Sequence, residues 1–343
     1  MERCPPCKER ATHVVIKLSQ ERQSVRIPSF SGVENAAEAV AKIVLPTPLL
    51  TFEHAGETIF AKAESLQPVG AFKLRGAWWR LVSMSDAERA RGVVAFSSGN
   101  HAQGVAWAAK RLGMTAAIVM PSDAPTAKIA GTRSLGAEII LFDRATESRE
   151  AIGAALATER GATLVPSFDD PWVVEGQGSA GIEATAQMAV LGHASPDLIV
   201  ACCGGGGLSS GLALACPDAR VVVVEPEGWD DMTRSLAGGA IVPVGPNPPP
   251  TACDALMTKQ VAPLTFGILK ARGAVGVTVS ESEIEHAMRF AFATLRLVVE
   301  PGGAVALAAI LSGRIAPGNR TLITLSGGNV DPAQFAAVLG RGR

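Results

Sequence analysis

The sequence predicts an α/β fold: open parallel sheets with helices on both faces. Two observations carry this. Apolar strand-like runs alternate with helical patterns almost throughout the 343 residues, as β–α–β connections require. The segments rich in Gly, Ser and Asn follow strands directly, where ligands bind in such sheets. The chain is 48% hydrophobic and 18% charged, enough to bury a large core, and its length suggests two domains or one large one.

In chain order, strands are expected at residues 59–63 (IFAKA), 93–96 (VVAF), 116–120 (AAIVM), 138–142 (EIILF), 198–201 (LIVA), 221–224 (VVVV) and 321–325 (TLITL). Each is a short apolar run bounded by polar or turn-forming residues. Helical patterns lie between them at residues 102–112, 145–159, 178–191 and 281–296. The proline-rich stretch 244–250 reads as an irregular loop, because successive prolines forbid helix and sheet pairing. No internal repeat is visible.

Composition excludes several classes of function. A formal net charge of −1 gives no footprint for nucleic acid or an anionic membrane. No apolar run reaches the roughly 18 residues of a membrane span; the longest is 304–311. The N-terminus, MERCPPCKER, lacks the apolar stretch of a signal peptide, so a cytoplasmic location is expected. Six cysteines in a chain this long suggest reduced thiols. Cys4 and Cys7 flank two prolines in a polar tail with no second pair, and read as incidental. Tyrosine is absent, which removes any tyrosine acid or base from consideration.

The most informative segment is 65–77, SLQPVGAFKLRGA. It puts Lys73 in the first turn of a predicted helix, after a strand and a Gly-Ala-Phe bend. At the positive end of a helix and partly desolvated, a lysine loses its proton more readily and its amine becomes a nucleophile. Further on, Gly204, Gly205, Gly206 and Gly207 stand between a strand and a helix, where bare N–H groups can wrap a phosphate. An activated lysine and a phosphate cradle together suit pyridoxal phosphate. A dinucleotide site is the rival reading, with Glu225 lying 19 residues after Gly206. The third glycine of that fingerprint is missing, however, since Ser209 or Ser210 stands there. Nor does a dinucleotide explain Lys73.

Three further segments have two readings each. Ser97, Ser98, Gly99, Asn100 and His101 open a helix and offer either a carboxylate seat or a plain N-cap. Ser326 follows the last strand; its neutral hydroxyl would leave a pyridine nitrogen unprotonated, which suits elimination, or it marks an ordinary turn. Glu225, the Trp229 carbonyl and Asp231 could hold Mg²⁺ or Ca²⁺, or form an acidic turn.

In order and spacing, AFKLRGA, SSGNHAQG, GGGGL and SGGNVD resemble the serine/threonine dehydratase family of fold-type II pyridoxal-phosphate enzymes, which includes serine racemase. The likeness runs from about Leu45 to Leu339. It implies two open parallel-sheet α/β domains with the cofactor in the cleft between them. Residues 1–84 and 168–343 would form the large domain, and 85–167 a small inserted one. It also implies that Lys73 forms the Schiff base and moves the Cα proton, with Phe72 along the cofactor ring. Asn100 would meet the ring hydroxyl, Gly204–Gly207 and Leu208 the phosphate, and Ser326 the pyridine nitrogen. Residues Ser97, Ser98, Asn100 and His101, with Arg149, would take the substrate carboxylate. Ser98 falls where racemising relatives carry the base for the opposite face, and Glu225, Trp229 and Asp231 match a divalent-cation site.

Two positions depart from the family's pattern. Ala71 replaces a common Ser, and Ala255 a frequent Gly against the cofactor face. The activity implied is an ammonia-lyase that dehydrates L-threonine or L-serine, with the cofactor phosphate as acid for the departing hydroxyl. Hydroxyaspartate dehydration and serine racemisation are alternatives, and an amino-acid-binding protein without catalysis is the alternative of another class. A small amino acid is the expected partner, in a homo-oligomer and most simply a homodimer.

Overall fold

The computed structural model describes residues 26–97, 99–124 and 126–341. Helix α1 (Phe30–Ala41) precedes a hairpin of β1 (Leu49–His54) and β2 (Glu57–Lys62), then α2 (Lys73–Val82) and α3 (Asp86–Arg91). A run of alternating elements follows: β3 (Val93–Phe96), α4 (Asn100–Arg111), β4 (Ala116–Pro121), α5 (Thr126–Ser134), β5 (Glu138–Phe142), α6 (Arg149–Arg160) and β6 (Thr163–Leu164). The chain continues through α7 (Pro171–Val190), β7 (Leu198–Cys202), α8 (Gly207–Ala215), β8 (Arg220–Pro226), α9 (Asp231–Gly238), α10 (Pro263–Ala271) and β9 (Val275–Val279). It closes with α11 (Glu281–Phe290), α12 (Pro301–Leu311), β10 (Thr321–Thr324) and α13 (Pro332–Gly340).

The strands form two sheets. Six run in the order β1-β2-β10-β7-β8-β9, and four in the order β5-β4-β3-β6. Every pairing is parallel except β1 with β2, which run antiparallel with Leu49 opposite Lys62. The sheets are parallel as expected, with one antiparallel pair at that edge. Ala55 and Gly56 both take positive φ in the connecting turn, and a tight turn can join only antiparallel neighbours. The helix expected at 281–296 stops at Phe290 and unwinds into a π turn, Ala291–Leu295, ended by Arg296 at φ 61°. The helix expected from 178 begins earlier, at Pro171, because Asp170 caps it by accepting from the Val173 N–H.

Apolar packing does not stop at residue 84. Leu74, Ala77, Trp78 and Leu81 of α2 belong to the same buried cluster as Val93, Ala106, Ile118 and Met120 around the four-stranded sheet. Helix α2, which follows β2 of the six-stranded sheet in the chain, thus packs into the core of the four-stranded one. The long helix α7 fixes its position through glycines: a Cβ on Gly176 would stand 2.5 Å from the Gly76 Cα, and one on Gly178 would stand 2.5 Å from the Gly211 carbonyl oxygen. Backbones meet directly there, so α2 and α8 are both seated on α7. The large sheet then brings β2, β10 and β7 side by side. Their carboxyl ends lead to Lys73, Ser326 and the glycine loop.

Candidate active site

Lys73 is the first residue of α2, and Gly104 of α4 lies close against its backbone, where a Cβ would stand 3.1 Å from the Lys73 carbonyl. Its Nζ donates to the Ser167 carbonyl at 2.7 Å and lies 5.2 Å from the centre of the Phe72 ring. Burial pushes its pKa down to about 8, against a small opposing pull from Cys202. The free amine is therefore far more accessible near neutral pH than that of an exposed lysine.

The same Ser167–Phe168 corner supports the glycine loop. A Cβ on Gly205 would lie 2.2 Å from the Phe168 ring, and one on Gly207 would lie 3.1 Å from the Phe168 Cβ. Gly206 takes φ +84° immediately before α8, a conformation open mainly to glycine. Thr265 Oγ1 donates to the Gly205 carbonyl at 2.7 Å, holding the loop from behind. The first-turn N–H groups of α8 have no carbonyl ahead of them. Leu208 turns its side chain into the core, so it offers backbone alone. Ala255 sits in a short turn, Asp254–Leu256, with its carbonyl 3.3 Å from where a Gly204 Cβ would be.

Ser326 closes the third side. Its carbonyl accepts from the Phe72 N–H at 3.1 Å, and its Oγ accepts from the Cys202 thiol at 3.2 Å. Burial raises that thiol to about 11, so it stays a neutral donor, and the Ser326 hydrogen remains free to donate. A backbone bridge between Ala71 and Gly327 welds the two loops together.

The 97–101 segment enters from the four-stranded sheet. Asn100 begins α4 and is buried; Ser98 lies outside the described residues. His101 is turned away: a ring nitrogen meets the Val165 carbonyl at 2.9 Å, and burial with the nearby Lys73 charge lowers its pKa to about 3. Its side chain is neutral and structural, leaving only its backbone for a substrate. Arg149 begins α6, stacks 5.5 Å from the centre of the Phe96 ring and pairs with Glu150 at 2.7 Å. Among the described residues it makes no hydrogen bond to the 97–101 segment.

The acidic segment is built differently from a simple cation cage. The Glu225 carboxylate accepts from the N–H groups of Met232 (3.0 Å) and Thr233 (2.7 Å) and from the Thr233 hydroxyl (2.6 Å), so it caps α9. Both Asp231 carboxylate oxygens are buried without a hydrogen-bond partner. Burial raises Glu225 to about 8 and Asp231 to about 6. Trp229 is buried and donates its indole N–H to the Pro249 carbonyl. No cluster of three His, Cys, Asp or Glu side chains able to hold a metal occurs among the described residues.

Two features escaped the reading of the sequence. Glu300, the N-cap of α12, is 3% exposed and accepts from Asn100 Nδ2 at 2.6 Å. Beneath Lys73, Arg75 is fully buried and paired with Glu64 and Glu183, in a network with Lys62. The EPGGA and KLRGA strings hold these residues but carry no local sign of the partners.

The residues present fit pyridoxal phosphate: the loop has room only for backbone, and the amine facing the same corner gives up its proton more readily than a free lysine. Comparison with known proteins agrees. Residues 40–327 match the family described as pyridoxal-phosphate dependent enzyme. The chain is 42% identical over 325 residues to an L-threo-3-hydroxyaspartate ammonia-lyase of a Pseudomonas species, covering 92% of this chain and 99% of that one. The threonine deaminase of T.th. superposes with a TM-score of 0.82 at 41% identity, over 89% of this chain and 99% of the other. Maize serine racemase gives 0.84 at 32% identity, over 92% and 98%.

Proposed function

Because the chain belongs to the family of pyridoxal-phosphate-dependent enzymes, we propose that it is an ammonia-lyase for β-hydroxy amino acids, yielding a 2-oxo acid and ammonia. The observation that carries this reading is the Lys73 amine, lowered to about 8 and set against the corner that supports the glycine loop. When bound, the cofactor supplies the electron sink that makes a Cα proton removable. Lys73 would receive that proton, the Cβ–O bond would break as the double bond forms, with the departing hydroxide taking up a proton to leave as water, and the enamine released would hydrolyse to the 2-oxo acid and ammonia. The N–H groups at the start of α4 would take the substrate carboxylate, and the free Ser326 hydrogen would meet the pyridine nitrogen, disfavouring long-lived carbanions.

Within this class, 3-hydroxyaspartate, L-threonine and L-serine are the substrates proposed, and similarity to the Pseudomonas lyase favours the first. Ser98 is the proposed base on the opposite face for any racemisation, and Arg149 a proposed carboxylate contact. A divalent cation, Mg²⁺ or Ca²⁺, is proposed at Glu225, Asp231 and the Trp229 carbonyl, supported by the two unpartnered Asp231 oxygens. Residues 85–167, which hold the four-stranded sheet, are proposed as the small domain, and residues 1–84 with 168–343 as the large one. A cytoplasmic homo-oligomer completes the proposal; among the described residues no helix is long and apolar enough to cross a membrane.

The test is a panel of β-hydroxy amino acids assayed for 2-oxo acid release by the purified, cofactor-loaded protein. The expected result is turnover of all three, with the highest kcat/KM for 3-hydroxyaspartate. A yellow protein that releases no 2-oxo acid from any of them, nor D-serine from L-serine, would overturn the reading in favour of a binding role.

A further inference from the structure

Glu300 is a buried acid that no step above uses, and its partners form a chain with one direction. Asn100 Nδ2 donates to Glu300 Oε1 at 2.6 Å. Asn100 Oδ1 accepts from Asn329 Nδ2 at 2.8 Å, and that same nitrogen donates to the Val69 carbonyl at 2.8 Å. An ionised carboxylate only accepts, so it must face the NH₂ side of the Asn100 carboxamide. That choice turns the Asn100 oxygen toward Asn329 and leaves one Asn100 N–H without a partner among the described residues. The Val69 carbonyl, also an obligate acceptor, locks the far end in the same sense.

We propose that Glu300 is a positioning residue which, together with Asn329, orients the Asn100 carboxamide so that it offers the bound cofactor's ring oxygen a hydrogen-bond donor rather than an acceptor. A donor stabilises the ionised oxygen; an acceptor would demand a proton on it. This rests on the reading of the chain as a pyridoxal-phosphate enzyme. The surroundings make the charge on Glu300 adjustable. Burial, and then the nearby Asp254 charge, raise it to about 7, while the Asn100 hydrogen bond and Lys128 pull the other way. Lys128 and Asp254 form an ion pair with each other, and the Cys202 and Cys253 thiols, which feel the Glu300 charge, have raised pKa values and stay neutral. Protonation of Glu300 turns an obligate acceptor into a group that can also donate and removes one of the two constraints on the amide, leaving Asn329 alone to hold its orientation.

The experiment uses the cofactor-loaded protein and its absorbance spectrum, independent of turnover. In the wild type, the visible band, which reports the ionised ring oxygen, should give way to a near-ultraviolet band as pH falls through the Glu300 titration. Glu300→Gln is isosteric and neutral, and can present either face to Asn100. It should retain bound cofactor, show a larger near-ultraviolet fraction at pH 8, and lose the acid-side spectral step. A kcat decrease of at least about tenfold with little change in KM is expected alongside, since the change reaches the Asn100 side chain and leaves the backbone N–H groups proposed for the substrate carboxylate in place. Glu300→Gln with a wild-type spectrum at every pH would overturn the proposal. So would a wild type whose spectrum has no acid-side step, which needs no variant to fold. A wild type that binds no cofactor would instead remove the functional reading itself.

Discussion

Replacing Arg75 by methionine tests how the reactive helix is held. Arg75 sits two residues after Lys73 and forks onto Glu64, with Nε at 2.7 Å and Nη2 at 2.8 Å. It also reaches Glu183 at 3.0 Å and the Ser179 hydroxyl at 3.2 Å. Lys62 meets the same Glu183 at 2.5 Å, so two cations balance two anions. Methionine fills similar volume but leaves the buried carboxylates one positive charge short. Among the described residues Glu64 then keeps hydrogen bonds only from the Thr47 hydroxyl (2.7 Å) and the Gln67 amide (3.1 Å). Breaking a buried pair from one side costs about 3–5 kcal/mol, because the partner charge stays buried. We expect a loss of that size in urea unfolding, followed by circular dichroism and tryptophan fluorescence at fixed cofactor concentration.

The pH dependence of this loss has a definite sign. In the wild type, burial would raise Glu64, but the Arg75 charge and hydrogen bonds outweigh it and leave the carboxyl below its ordinary value. The stability this supplies is present above the unfolded-state value, about 4.3, and fades as pH falls through the lower folded one. Without Arg75, burial prevails and the folded carboxyl titrates above 4.3, so the variant loses stability as pH rises through that window. The gap between the two proteins is therefore widest at neutral pH. Adding Glu64→Gln to Arg75→Met should restore about 2 kcal/mol relative to the sum of the single changes. Additive single and double variants, or a gap that does not change between pH 5 and pH 8, would refute the account.

Other outcomes follow from the same geometry. Lys73→Ala should abolish 2-oxo acid release while the protein stays folded, since among the described residues its side chain hydrogen-bonds only the Ser167 carbonyl; near-wild-type turnover would exclude Lys73 as the acting amine. Loading of the cofactor-free protein, followed by visible absorbance, should speed up with pH and level off above about 8, where the Lys73 amine is free; a pH-independent rate would mean that burial does not control it. Gly205→Ala pushes a Cβ to 2.2 Å from the Phe168 ring and should weaken cofactor affinity at least about tenfold, a cost typical of overpacking, measured by titration of the cofactor-free protein. Chelator should lower stability and activity together, with recovery on adding Mg²⁺ or Ca²⁺; indifference to chelator, with no metal in the purified protein, would leave Glu225 as a helix cap alone.

How much of this was legible in the chain depends on the range of each interaction. Residues 93–96 and 138–142 are strands with the bounds their apolar runs suggest, because both are short and flanked by turn residues. Lys73 at the start of a helix, and the glycine loop ahead of another, were also local facts: each motif carries its own turn and its own helix start. The antiparallel β1 was not legible, since LLTFEH has three polar residues and takes its partner from the hairpin turn. The unwinding after Phe290 escaped because the apolar spacing runs on unbroken through it.

Arg75, Glu300 and Asn329 mark where local reading ends. Beside Lys73, an arginine reads as a solvated neighbour, yet it is buried because Glu64 and Glu183, 11 and 108 residues away, converge on it. Asn100 could be named from its own motif, but which face of its amide it presents is decided by Glu300 and Asn329, 200 and 229 residues on. Residue type limits what a side chain can do: an amide can donate or accept, a carboxylate can be charged or neutral. The choice between those states belongs to partners that only the sheet order brings together. β2, β10 and β7 are neighbours in the large sheet although their sequence positions span most of the chain. The motif residues could be read from the sequence for the chemistry they make possible, and the fold then selects among the states open to each of them.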